Sequence, residues 1–543
     1  MTDAKPGFRQ QVRALPRTFY VANTMEIFER MAWYGMFTPL ALYLTDSRAH
    51  NGLGLTEEDA GTIIGIVTFA LYLMPVITGA LGDRFGYKKM FLLAYTIMTP
   101  AYFLLGHLHT YGSFLGGFMM LAVGAAIFKP VVVGTVARVT TESNSQLGFG
   151  IFYMMVNVGG FVGPFVSGIL RSPDPKTGVS NWNMLFLSSS IFIAINFFWV
   201  LFFYKEPTTE ASSGKGRSLQ RVLTDAVEVL GNSRFFVCVF GMLVTFFAAG
   251  KRWISWTTGG EIALGWLVLN LILDGAFRAA SAASASAGQT RSWFLQPMRV
   301  SNWRFAVYLL ILSGFWTSFN QILGGVPLVK YIEDFVETRP LLEFSAGLCR
   351  TFGLSGWAGG IDKYIADGGQ FNPEWISNLD PFFIVLFQIV ISLTVARMGR
   401  FPGMIFGIII AGIGIALPAL SGGGTVGVLH ASGWLMVLAV FVFAIGEMMA
   451  SPTSQEYIGS IAPKDKVALY MGYYFIAVAL GNLFGNVLGG VIYGALARDM
   501  GRPDLMWLVF GAMAIATAVA LALYNRFAVP RGPNAHMMNP GAA

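Results

Sequence analysis

Stretches of about 20 mostly apolar residues recur along this entire chain, and no other feature limits its folds as strongly. Inside a bilayer every backbone N–H and C=O must find its partner within the protein, so only helices and closed barrels can cross. A barrel would show short segments alternating in polarity, and these are absent. Charged residues make up 12% of the 543 positions, about half the usual fraction for a soluble chain. The pattern therefore predicts an all-α polytopic membrane protein.

The apolar runs place helices at roughly 19–44, 59–82, 89–107, 114–137, 149–170 and 184–204, then at roughly 303–327, 378–396, 402–420, 433–456, 468–497 and 505–525. Two further runs, at roughly 234–250 and 258–277, lie between polar tracts around SSGKGR and SAASASAG. The expected organisation is a tail (1–18), a six-helix half (19–204), a linker with an inserted helix pair (205–302), a second six-helix half (303–525) and a final tail (526–543). That makes 14 transmembrane helices, with some local helix in the long connection near 328–377.

The net charge of +7 does not point to nucleic acid, because Lys and Arg gather in short loops. Arg84, Lys88, Lys89, Arg397, Arg400, Lys464, Lys466, Arg526 and Arg531 fall after even-numbered spans. Both termini are therefore expected in the cytoplasm, with the chain in the inner (plasma) membrane. The first residues, MTDAKPGFRQQVRALPR, lack the apolar core of a cleaved signal. Cys238 and Cys349 form neither a metal spacing nor a disulfide framework, and the five histidines fall in or beside loops. No cofactor or metal is expected. HExxH, G-x-S-x-G and Walker patterns are missing, which argues against an enzyme.

Several charges sit where hydrocarbon should forbid them. EIFERMAWYG places Glu26, Glu29 and Arg30 in the first span. Each unpaired charge at mid-membrane costs about 2.5–3.5 kcal/mol on insertion scales, so these must pair or face water. Glu26 and Arg30 are i, i+4, and the same helix could present acid, acid, base and aromatic to a cavity. Lys129, in VGAAIFKPVVVG, and Glu447, in FVFAIGEMMASP, fall in the middle of equivalent helices of the two halves. A base and an acid across a cleft suit a zwitterion. The halves also share a weak repeat: GDRFGYK around Asp83 aligns with ARMGRFP, Arg84 with Arg397 and Gly86 with Gly399. Related halves around a midplane site describe a secondary transporter.

These motifs resemble known ones. Gly79, Asp83, Arg84 and Gly86 in GALGDRFGYKK resemble the loop motif of the major facilitator superfamily, with Tyr87 as a departure. ExxERxxxYG at Glu26–Gly35, FKP at Phe128–Pro130, FYMMVNVG at Phe152–Gly159, GE…SP at Gly446–Pro452 and MG…ALGN at Met471–Asn482 resemble the proton-dependent oligopeptide transporter family. The resemblance implies a major facilitator fold and proton-coupled uptake of di- and tripeptides by alternating access. It implies that Arg30 and Lys129 hold the peptide carboxylate and that Glu447 and Asn157 hold the amino end. Tyr34, Tyr72, Asn320 and Gln321 would complete the pocket, and Glu26 and Glu29 would couple protons to Arg30. The partners are small peptides, protons and lipid, with a monomer as the working unit. The sequence departs from the family at its seventh helix, where Asn320 replaces an acid, and at its eighth, where Asp380-Pro381 replaces Asn-Pro. Asn320 cannot titrate, so Asp380 or the first-helix acids are expected to carry the proton. The same departures keep open a facilitator for another small solute (amino acid, anion or drug) with altered or absent coupling.

Overall fold

The computed structural model describes residues 8–75, 78, 85–141, 144–207, 232–284, 297–299, 302–421, 432–462 and 467–529. Fourteen long helices run through them. The first six are α1 (Arg17–Phe37), α2 (Glu57–Leu73), α3 (Tyr87–Leu105), α4 (Tyr111–Val139), α5 (Ser145–Arg171) and α6 (Trp182–Phe202). The inserted pair is α7 (Ser233–Gly250) and α8 (Trp256–Ser284). The last six are α9 (Trp303–Leu323), α10 (Leu379–Met398), α11 (Arg400–Ala416), α12 (Gly433–Ile461), α13 (Val467–Ile492) and α14 (Pro503–Phe527). Eleven helical segments among the described residues are long and apolar enough to span a membrane, and α1 to α3 precede them. No strand occurs among these residues. The protein is thus an all-α polytopic membrane protein.

The expected first helix is broken. Pro39 has no N–H to bond the carbonyl four residues back, so α1 ends at Phe37 and a separate turn follows at Leu40–Thr45. The long connection after α9 does carry local helices, at Val326–Phe335, Arg339–Thr351, Ser355–Ala366 and Pro373–Ser377. Its end of the bundle is called the far end below; the end bearing residues 17 and 527 is the near end.

The two halves repeat each other in chemical detail. Pro130 leaves the carbonyl of Ala126 in α4 without its helical partner, and the Thr78 hydroxyl, just beyond α2, donates to it at 2.6 Å. In the second half Pro452 likewise frees the Met448 carbonyl in α12, which faces the Gln388 amide of α10 at 3.5 Å. Gly86 and Gly399, aligned by sequence, both take positive φ (90° and 82°) and open α3 and α11. That backbone geometry is strained for any residue with a Cβ. The Glu206 carboxylate accepts from the Tyr87 and Lys88 amides at 2.6 and 2.8 Å, closing the start of α3. Gly79, Asp83 and Arg84 of the same loop lie outside the described residues.

Glycines set how closely the helices pack. A Cβ on Gly159 or Gly163 of α5 would meet the α1 carbonyls of Ile27 and Met31 at 2.6 and 2.4 Å. Gly481, Gly485 and Gly489 of α13 press on α9 in the same way. Both stripes join helices within one half. Between the halves, Gly61 and Gly65 of α2 lie against the α13 carbonyls of Asn486 and Leu483. The turn between α7 and α8 touches both sides of that contact. Lys251 pairs with Glu58 of α2 at 3.3 Å, and Arg252 donates to the Val491 carbonyl of α13 at 3.3 Å.

Candidate functional site

Among the described residues, the polar contacts between the halves gather at the far end. Arg171, ending α5, makes two charge-assisted bonds to Glu374, at 2.7 Å to Oε1 and 2.5 Å to Oε2. Both side chains are buried, and Arg171 also lies over the Trp182 ring at 4.9 Å. Asn378 donates to the Phe161 carbonyl at 2.6 Å and Asn372 to the Gly168 carbonyl at 3.0 Å. Glu57 of α2 pairs with Arg498 beyond α13. At the near end Gly150, Gly459 and Gly472 face open space. Nothing in the sequence singled out Arg171 or Glu374. The α2–α13 contact did leave a signal, the Gly61-xxx-Gly65 spacing.

Beneath this seal lies a cavity of about 230 Å³ between the halves. The first half contributes Tyr34, Tyr72 and Asn157 to its lining, and the second contributes Asn320, Asp380 and Glu447. Six of the residues singled out by sequence therefore converge on one chamber. Asn157 donates to the Tyr153 carbonyl at 2.9 Å, and Asn320 to the Trp316 carbonyl at 3.2 Å, which leaves each amide oxygen available to the cavity. Asp380 lies in the first turn of α10, yet it is only 5% exposed and makes no helix cap. Its Oδ1 and the Oε2 of Glu447 are buried without hydrogen-bond partners.

The first-helix charges are placed differently from expectation. Glu26, Glu29 and Arg30 do not line the chamber; Trp33 and Tyr34 of the same helix do. Both acids are fully buried, and Arg30 is 7% exposed. The Arg30 guanidinium bonds Glu29 through Nε at 2.5 Å and also through Nη2, and its Nε lies 3.3 Å from Glu26. The reason is the α1–α5 contact: without a side chain at Gly159, α5 closes onto Ile27 and the Cβ of Arg30. That turns the charged face into the first half, one layer behind Tyr34, whose ring lies 5.8 Å from the guanidinium. Lys129 is half-buried and feels the charges of Arg30, Glu26 and Glu29, but among the described residues no ion pair reaches it. Tyr34 from the first half and Glu447 from the second line the same cavity.

Gln321 is also corrected. Its amide donates to the Thr317 carbonyl at 2.7 Å and to the Gly485 carbonyl of α13 at 3.0 Å. It is fully buried and fastens α9 to α13 instead of facing the chamber. Helical rotation of 100° per residue puts Asn320 and Gln321 on different faces, and only packing shows which face meets the cavity.

The chain belongs to the major facilitator superfamily: the family model matches residues 24–366 and 369–538. It is therefore a membrane transport protein and not an enzyme. Within the superfamily its likeness is to the oligopeptide-transporter branch. It is 23% identical over 533 residues to a peptide transporter of Yersinia enterocolitica, covering 93% of this chain and 92% of that protein. It is 22% identical over 536 residues to dipeptide and tripeptide permease A of Escherichia coli, covering 96% and 93%. A solved POT family transporter in complex with a thioalcohol-conjugated peptide superposes with a TM-score of 0.63 at 19% identity, covering 95% of this chain and 99% of that one.

Proposed function

We propose that the protein takes up di- and tripeptides together with protons, by alternating exposure of the central chamber to the two sides of the inner membrane. One observation carries this reading. A single cavity between the halves has an acid wall at Glu447 and Asp380 and, behind Tyr34, the base Arg30 held by two acids. That polarity fits a zwitterion. The peptide amine would lie against Glu447 and Asp380, with the Asn157 and Asn320 carbonyl oxygens accepting from it. The carboxylate would lie toward Tyr34, Arg30 and Lys129.

Coupling follows from the Glu26–Glu29–Arg30 set. While both acids are ionised they hold the guanidinium back from the chamber. A proton on either one weakens that hold, and Arg30 is freed to meet the substrate carboxylate. Asn320 cannot take a proton, so the second site falls to Asp380. The near end would face the cytoplasm, in keeping with the basic residues Lys88, Lys89, Arg397, Arg400 and Arg526 there. The far-end contacts, Arg171–Glu374 and Glu57–Arg498, would part when the chamber opens outward.

The test is uptake of a labelled dipeptide into proteoliposomes, with and without an inward proton gradient. Uptake should rise with the gradient, and Arg30→Ala and Glu447→Gln should each abolish it. Lack of competition by any dipeptide at any pH would turn the assignment to another small solute.

A further inference from the structure

The charges around the chamber do not balance evenly. In the first half, Glu26 and Glu29 face two bases, Arg30 and Lys129, so that set is formally neutral. In the second half, Asp380 and Glu447 line the same cavity, and among the described residues no Lys or Arg lines it with them. The groups facing them are neutral: Tyr34 from α1, Tyr72 from α2, Tyr153 and Asn157 from α5, Asn320 from α9 and Asn482 from α13. Each acid keeps one buried oxygen without a partner, Oδ1 of Asp380 and Oε2 of Glu447. Asp380 is nine-tenths buried, and Ser377 and Asn378 at the start of its helix are buried with it. Two like charges held together away from bulk water are costly until a cation or proton joins them.

A zwitterionic dipeptide brings one amine, already balanced by its own carboxylate. A peptide with a cationic side chain near its amino end brings two cations, one for each acid. We infer that Asp380 makes this chamber selective for substrates of net positive charge, its carboxylate and that of Glu447 each taking one cationic group. The inference rests on the peptide reading above only for the nature of the scaffold that carries the charges.

The experiment is competition binding to the purified full-length protein with Ala-Ala, Lys-Ala and Glu-Ala, and with 1,5-diaminopentane as a dication lacking a peptide bond. Wild type, Asp380→Asn, Asp380→Ser and Asp380→Glu are compared. Wild type should bind Lys-Ala at least about tenfold more tightly than Ala-Ala, a difference of about 1.4 kcal/mol, with Glu-Ala weakest. Asp380→Asn and Asp380→Ser should bring the Lys-Ala to Ala-Ala ratio close to one, while Asp380→Glu preserves the preference. A wild-type ratio near one overturns the proposal, even if no neutral variant folds. So does an unchanged ratio in a folded neutral variant. Binding of diaminopentane without any peptide would remove the peptide reading and leave the cation site standing.

Discussion

Removing the Glu374 charge should loosen the far end of the transporter. Arg171 and Glu374 join α5 of one half to the short helix before α10 of the other, through two bonds at 2.7 and 2.5 Å. The two side chains are 3% and 0% exposed. Breaking a buried pair by removing one partner typically costs about 3–5 kcal/mol, because the remaining charge stays buried. In Glu374→Gln the guanidinium keeps Trp182 at 4.9 Å and Ser180 at 3.4 Å, so the lower part of that range applies. At about 1.4 kcal/mol per decade, the far-end-closed state should lose about a hundredfold of its population relative to open states. Spin labels on exposed Lys176 and Lys363, on the two far-end connections, would report this by pulsed electron resonance. The variant should show a new longer-distance component. The double change Arg171→Met with Glu374→Leu should show less of it than either single change, since no charge is then stranded. A double variant as open as the singles would refute the assignment of the cost to a buried unpaired charge.

Gly163→Ala should lower the thermal stability of the detergent-solubilised protein by about 1–3 kcal/mol, as overpacking does: the new Cβ would meet the Met31 carbonyl at 2.4 Å, and backbone cannot swing aside. Thr78→Val should cost about 1–3 kcal/mol in the same assay, by leaving the Ala126 carbonyl without a donor; Thr78→Ser should restore most of it. The Asp174 carboxylate, in the turn after α5, is held below the usual range by the backbone amides of Thr177 and Lys176. Its folded value is depressed, so the stabilisation of the turn is full above the ordinary Asp value of about 3.9 and is lost as pH falls through the lower folded value. Protection of the Thr177 amide, its exchange compared with an unstructured chain at the same pH, should therefore hold down to that range and fall below it; loss of protection already at pH 6 would contradict the assignment.

The class of fold was legible because apolar length and backbone hydrogen bonding leave a membrane chain few choices. The charges at Glu26, Glu29, Arg30, Lys129 and Glu447 were legible for the same reason: in hydrocarbon each is expensive, so each marks a purpose; Asp380 was legible only as a departure from the family's eighth-helix Asn-Pro. Which of them touch the chamber was not legible. Asn320 and Gln321 are neighbours of similar chemistry, and only the approach of α13 separates a cavity wall from a packing contact.

Sequence alone therefore determined which residues had to escape lipid and how many helices would carry them. Tertiary structure decided the direction of escape. Glycine-mediated closeness of α5 to α1 drew Glu26, Glu29 and Arg30 behind Tyr34, while the halves closed at the far end through Arg171 and Glu374, which no periodicity marks. The physical reason is that a helix fixes the angle between its own side chains, whereas the face it turns inward depends on what its neighbours lack the bulk to prevent.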